Sequence, residues 1–380
     1  MSQTMEQREE GKRGRRPRLS PAKRWAFVCC LLAGCLLLFE VASSALLLYR
    51  YRSLEAINAD EPSSLSSLVV LSRLASRLGL EGGEVLGTQK RRETEPSPFL
   101  RPDPVYGYSA RPGSFTHKYF FKGRSTQPWR EFHCKVTINA DGSRWTGHHE
   151  SDVRRPRIYV LGDSWVFGTG VNDEQTFSAL LQQARPEVEV KLFALGGYSL
   201  TQGLLRVESL LSSGSIIAGD RLILGYADFY DKRHAAATSW VRHFAVWAGT
   251  RNLPSDVYAG QTLPRAALGP KGLELDYIPK QLPTAQLDQP DPSKAEMTAI
   301  SAAIINRIAE LSPVPVHLVH ISGDANNKVF TLLRPQVVRI SATPGDFDYE
   351  IRDSVGDFDD HPGPYWHYAI AHRLHASIPK

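Results

Sequence analysis

Four stretches of this sequence carry side chains suited to acyl transfer. Gly162-Asp163-Ser164 follows a short apolar run at residues 157–161 (RIYVL). Gly196-Gly197-Tyr198 follows a second run at 188–195, and Ala227-Asp228 a third at 221–226. Asp357, Asp359 and Asp360 precede His361-Pro362, just ahead of a helical pattern at 364–376. A hydroxyl becomes a useful nucleophile when a neighbouring base takes its proton. A carboxylate orients that base, and backbone amides hold the charge that develops on the attacked oxygen. Ser164, His361, a nearby aspartate and glycine-rich backbone supply each part. Taken singly, each is an ordinary turn or a solvated acidic loop. Their order, each at the end of a strand-like run or the start of a helix, is what points to chemistry.

The elements that must position these groups alternate from residue 157 onward. Phe177, Leu180, Leu181 and Ala184 are spaced i, i+3, i+4, i+7, so a helix is expected there, capped by Asn172 or Asp173. A second helix is expected over 200–211. Ser293 and Glu296 form a capping box before a third that ends near Leu311. Strands are expected at 157–161, 188–195, 221–226, 314–321 and 336–340. Such alternation predicts a flavodoxin-like three-layer α/β/α fold around a mostly parallel sheet. In such sheets ligands bind beyond the C-terminal ends of the strands, where the first three stretches lie. Residues 99–150 read as a β-rich extension, with strands at 115–121 and 132–138 and a turn at Asn139-Ala140-Asp141-Gly142. The α/β domain spans 151–380. Its residues 250–292, rich in Pro and Gly, read as an insertion over the sheet.

The stretch 159–171 (YVLGDSWVFGTGV) resembles the first block of the SGNH (GDSL-type) hydrolase family. Residues 193–198 (FALGGY) are similar to the second block, and 361–367 (HPGPYWH) to the last. The segments around Tyr106-Gly107-Tyr108 and 139–144 resemble a preamble found in exported bacterial members. The resemblance covers about residues 99–380. It implies Ser164 as nucleophile, His361 as base, and the amides of Ser164 and Gly197 as oxyanion donors. Two positions depart from the family pattern. Ala227 stands where the third block carries an Asn whose side chain is an oxyanion donor, and losing one donor typically costs ~10²–10³ in rate. The acid three residues before the His is replaced by Phe358. Asp359 is therefore the chosen acid, with Asp357 and Asp360 as alternates.

Charge and hydropathy place this chemistry. The chain has 380 residues and a formal net charge of +5. Residues 1–24 hold eight basic and three acidic side chains, so the rest is neutral, with 37 of each sign. A neutral body has no net electrostatic reason to seek nucleic acid. Residues 25–49 are mostly apolar with Glu40 their one charge, long enough to cross a bilayer, and preceded by that basic tail. The expected topology is an inner-membrane signal-anchor with the N-terminus cytoplasmic and the catalytic domain outside. Leu32-Ala33-Gly34-Cys35 resembles a lipobox. The apolar run continues past Cys35, which favours an uncleaved anchor over lipidation. Residues 50–98 read as a stalk, with a juxtamembrane helix over 68–80.

No cofactor or metal is expected. Cys29, Cys30 and Cys35 lie in the apolar run and only Cys134 lies beyond it. His367, His372 and His375, at i, i+5, i+8, do not share one ligating face. The expected activity is hydrolysis of acyl esters, O-acetyl above all, on a cell-envelope carbohydrate or lipid. The alternatives are an O-acyltransferase that draws on a membrane acyl-donor protein, and a catalytically impaired glycan-binding module.

Overall fold

The computed structural model describes Trp25, Leu31, Leu32, Gly34, Cys35, Leu38 and residues 89–122, 130–147, 154–238, 240–241, 262–279, 291–324, 326–343 and 361–379. The chain divides into two units, Met1–Ser66 and Ser67–Lys380. Six residues of the first are described, and all are helical and exposed. Among the described residues no helix is long and apolar enough to cross a membrane. Most of the expected anchor, the expected helix over 68–80, and Asp357, Asp359 and Asp360 lie outside the described residues.

In the second unit, β1 (Gln89–Glu95), β4 (Gly113–Lys122) and β5 (Arg130–Ile138) form an antiparallel sheet in the order β1-β4-β5. β2 (Leu100–Asp103) and β3 (Gly107–Ala110) form a hairpin. β1 lies within the stretch expected as a stalk. Its sequence has no apolar period, and it becomes a strand by pairing along β4 from Lys122 to Thr116. β9 (Thr262–Gly269) and β10 (Gly272–Pro279) form a second hairpin, within the insertion.

The main sheet contains β6 (Arg157–Gly162), β7 (Glu189–Ala194), β8 (Arg221–Ala227), β11 (Val316–Ser322) and β12 (Val337–Ser341), all parallel. Their order is β12-β11-β8-β6-β7. The chain moves from β6 outward to β7, then back across β6 to β8. The connections on either side of β6 therefore diverge, and the gap between the ends of β6 and β8 is the topological switch point. β8 and β11 are buried along nearly their whole length, as strands covered on both faces must be.

The helices are α1 (Ser164–Phe167), α2 (Phe177–Ala184), α3 (Leu200–Ser212), α4 (Tyr230–His234), α5 (Lys294–Leu311) and α6 (Pro364–Ser377). α2 packs on α6, and α5 on α3 and α4. The cap of α2 differs from expectation. Thr176 Oγ1 accepts the Ala179 amide at 3.2 Å. Asn172 and Asp173 face β5 instead, accepting the Lys135 and Thr137 amides at 2.8 and 3.1 Å. Strand amides that find no ladder partner need an acceptor, and both side chains meet that need, while Asn172 still opens the short 3-10 turn Asp173–Gln175 ahead of α2, its amide donating to Gln175 Oε1 at 2.9 Å.

Candidate active site

The first site element is the turn after β6. Asp163 is extended, at φ −106° and ψ −151°, and caps α1 by accepting the Trp165 amide on Oδ1 at 2.8 Å. Ser164 is the first residue of α1 and is 7% exposed. Its amide is among the first-turn N–H groups that a helix leaves without an internal acceptor. Its hydroxyl donates to Asp163 Oδ2 at 3.3 Å, and Arg233 Nη1 donates to the same oxygen at 2.8 Å. Two glycines let this turn sink onto the sheet. A Cβ on Gly162 would lie 2.3 Å from Val166 Cγ2, and one on Gly225 would lie 2.2 Å from the same atom. Val166 occupies the space that both side chains would fill, at the switch point.

The second element is the loop after β7. An added Cβ on Gly196 would stand 3.9 Å from Ser164 Cβ, so this loop lies against the serine. Gly197 has φ +82°, a conformation that side chains other than hydrogen rarely adopt. The fully buried Tyr108 of β3 fastens the loop. Its hydroxyl donates to the Gly196 carbonyl at 2.8 Å, and the Tyr198 hydroxyl donates to the Tyr108 carbonyl. Burial pushes the Tyr198 phenol far above its ordinary pKa, so it stays a neutral donor.

The third element is the head of α6. His361 is partly buried, two residues before the α6 N-cap Gly363. Trp366 meets Trp165 edge-on at 5.8 Å, which sets the first turn of α6 beside the residue that follows Ser164. His367 is fully buried, and its Nδ1 accepts the Phe177 amide at 3.2 Å. Burial drives its pKa down to about 3, with the nearby Arg144 guanidinium adding to the effect. His234 is likewise held near 3, by burial first and then by Arg233. Both rings are neutral in the fold, whereas the unfolded chain protonates them below about pH 6.5. Stability is therefore complete above that pH and is lost as the pH falls toward 3. The slope is about 1.4 kcal/mol per pH unit for each ring. Replacing His367 with Asn, which keeps an acceptor for Phe177, should lower the slope of stability with pH by about 1.4 kcal/mol per unit in urea titrations between pH 6 and 4. An unchanged slope would mean that His367 does not titrate in this way.

A buried cation ties the site to the β-rich extension. Arg144 is 1% exposed, and its Nε donates to Asp173 Oδ1 at 2.9 Å. Nη1 donates to the carbonyls of Phe167 and Gly168 at 2.7 and 2.8 Å, and Nη2 to that of Val171 at 2.8 Å. These carbonyls belong to the end of α1 and the loop after it. Arg144, the last residue of the preamble segment, thus fastens that segment to the end of α1 and the loop that follows it.

The end of β8 turns its polar groups elsewhere. Ala227 is fully buried. Asp228 Oδ1 lies 3.3 Å from His320 Nε2, and Oδ2 accepts the Asp324 amide at 2.9 Å. Asp231 accepts from Tyr226, Ser301 and Thr298, at 2.9, 2.6 and 2.9 Å, and belongs to the packing of α4 on α5. Of the residues expected at the site, Ser164 and the Gly196-Gly197 loop adjoin, α6 begins beside them, and Asp359 lies outside the described residues. Of three residues that support the serine, Asp163 and Arg144 stood within the quoted motifs without a role of their own, and Arg233 was not singled out. Asp163 had a usable signal, since an Asp directly before a helix is a preferred cap.

No family model matches this chain, and neither does any curated protein. Solved structures similar to it include lipolytic hydrolases of the GDSL kind. A psychrotrophic esterase from Pseudoalteromonas is 11% identical over 59% of this chain and 97% of its own, with a TM-score of 0.33. A member of the lipolytic G-D-S-L family from Veillonella parvula is 11% identical over 58% and 97%, also at 0.33. An α/β hydrolase from a Lake Arreo metagenome is 14% identical over 59% and 95%, at 0.34.

Proposed function

We propose that this chain is a serine ester hydrolase of the SGNH type. In this reading residues 25–49 anchor it in the inner membrane, with its catalytic domain outside. Its substrates are acyl esters, O-acetyl above all, of a cell-envelope carbohydrate or lipid. The observation that carries the reading is the placement of Ser164. It opens a capped helix at the switch point of a parallel sheet, against the Gly196-Gly197 loop and beside the head of α6. Ligands of such sheets bind at that point. The exposure of Trp25, Leu31, Leu32 and Leu38 on helical backbone suits a segment that faces lipid.

Ser164 Oγ bonds to the ester carbon while His361 takes its proton, and the carbonyl electron pair moves onto oxygen. The amides of Ser164 and Gly197 hold that oxyanion, and Asp359 orients His361. Collapse expels the alcohol, which receives the proton from His361. Water then attacks the acyl-serine by the same route and releases the carboxylate.

The test uses the full-length chain in mild detergent with p-nitrophenyl esters of increasing length, an acetylated glycan and a fluorophosphonate probe. The expected results are covalent labelling that Ser164→Ala abolishes, fastest turnover of the shortest esters, and free acetate from the glycan. Acetate appearing on an added sugar acceptor instead would make the protein a transferase. Glycan binding without any labelling would leave it a binding module.

A further inference from the structure

We propose that Arg233 supplies the oxyanion donor that Ala227 does not. The proposal rests on the ester-hydrolase reading and adds a catalytic residue to it. Among the described residues, no side chain at the end of β8 is hydrogen-bonded to Ser164. Ala227 has only a methyl group, and both Asp228 oxygens are engaged on the β11 side. The next element, α4, brings Arg233 to the serine.

Arg233 stands two hydrogen bonds from the nucleophile. Asp163 Oδ2 accepts from Ser164 Oγ at 3.3 Å and from Arg233 Nη1 at 2.8 Å. The same Nη1 lies 3.4 Å from the Tyr198 carbonyl, one residue beyond Gly197. The guanidinium thus bridges the serine turn and the glycine loop, the two segments whose amides face the oxyanion in the proposed mechanism. Three aromatic faces hold it in place, those of Trp240, Phe229 and Tyr230, with ring centroids 4.5, 4.8 and 5.4 Å from Cζ. Among the described residues its hydrogen bonds all run from Nη1, and a guanidinium carries five N–H donors in a rigid fork. Its side chain is 15% exposed, so it is fixed but still reachable.

A cation suits this position. Its bond to a developing oxyanion is charge-assisted, and it strengthens as the carbonyl oxygen gains charge. In the resting state Asp163 balances it, so the site holds no unpaired buried charge. When Ser164 attacks, its hydroxyl leaves Asp163, and the unused face of the fork meets the new oxyanion.

The test compares five versions of the full-length chain in hydrolysis of p-nitrophenyl acetate: wild type, Ser164→Ala, Arg233→Met, Ala227→Asn and the Arg233→Met Ala227→Asn double variant. Arg233→Met should lower kcat by about 10²–10³ with KM unchanged. Two recoveries are expected from that variant. Added guanidinium should raise its kcat but not that of Ser164→Ala. Ala227→Asn, which restores an amide donor at the end of β8, should return about tenfold or more. If Arg233→Met melts early because Asp163 is left unpaired, Asp163→Asn removes the orphaned charge and the same two recoveries apply.

Wild-type kcat in Arg233→Met overturns the proposal. So does a loss of kcat that neither guanidinium nor Ala227→Asn recovers, which would make Arg233 a structural partner of Asp163 alone. If hydrolysis and labelling do not depend on Ser164, the ester-hydrolase reading itself falls, and this one with it.

Discussion

Ser164→Ala is expected to slow ester hydrolysis by about 10⁴–10⁶-fold while leaving the fold intact. The serine hydroxyl does little structural work. Its bond to Asp163 is 3.3 Å long, whereas that carboxylate keeps the Trp165 amide and Arg233, each at 2.8 Å. Removing one such bond costs about 0.5–1.5 kcal/mol at most, a shift of a few degrees in melting temperature. The chemical loss is expected to be larger because, in the proposed mechanism, the hydroxyl forms a covalent bond only along the reaction path. Both kcat and kcat/KM should therefore fall together. Initial rates with p-nitrophenyl acetate, alongside thermal melts, check this. A variant that retained more than about a tenth of the rate would remove Ser164 as nucleophile. A collapsed melting temperature would instead assign the loss to folding.

Arg144→Met should destabilise the protein by about 3–5 kcal/mol, a large share of the stability of an ordinary domain. Methionine fills much of the same volume but donates nothing. Asp173, with its side chain 3% exposed, would remain as a buried carboxylate without its cation. The carbonyls of Phe167, Gly168 and Val171 would lose their guanidinium donors. Each unsatisfied buried group costs about 1–3 kcal/mol, so partial relaxation is already allowed for in the total. The guanidinium also lies over the Phe167 ring at 4.7 Å, so the end of α1 loses a packing partner as well. Urea unfolding of the full-length chain measures the change. The double variant with Asp173→Asn should recover part of the loss, because the orphaned charge is gone. A loss under about 1 kcal/mol would mean that the buried pair is not what holds the extension to the serine turn.

The α/β class was legible in the alternation of apolar runs. An apolar strand buried on both faces needs no particular partner to be recognised, and β6, β7, β8, β11 and β12 fall within two residues of their expected bounds. The closeness of Ser164 to Gly196-Gly197 was legible for the same reason. Once strands are parallel, the segments after them must gather at one end. Thr176 rather than Asn172 or Asp173 caps α2 because β5, distant in sequence, claims those two side chains. β1 could not be read at all, since a polar strand that adds to an edge is made by its neighbour's hydrogen bonds and carries no period of its own.

Local chemistry therefore marked which runs would become strands and helices, because those are properties of a few neighbouring positions. The supports of Ser164 are of another kind. Arg144 meets Asp173 across 29 residues, Tyr108 meets Gly196 across 88, and Arg233 meets Asp163 across 70. Nothing in the spacing of an arginine says which carboxylate it will find. That pairing is settled when packing removes water from both groups, and each must then be satisfied by whatever the closed chain brings within reach.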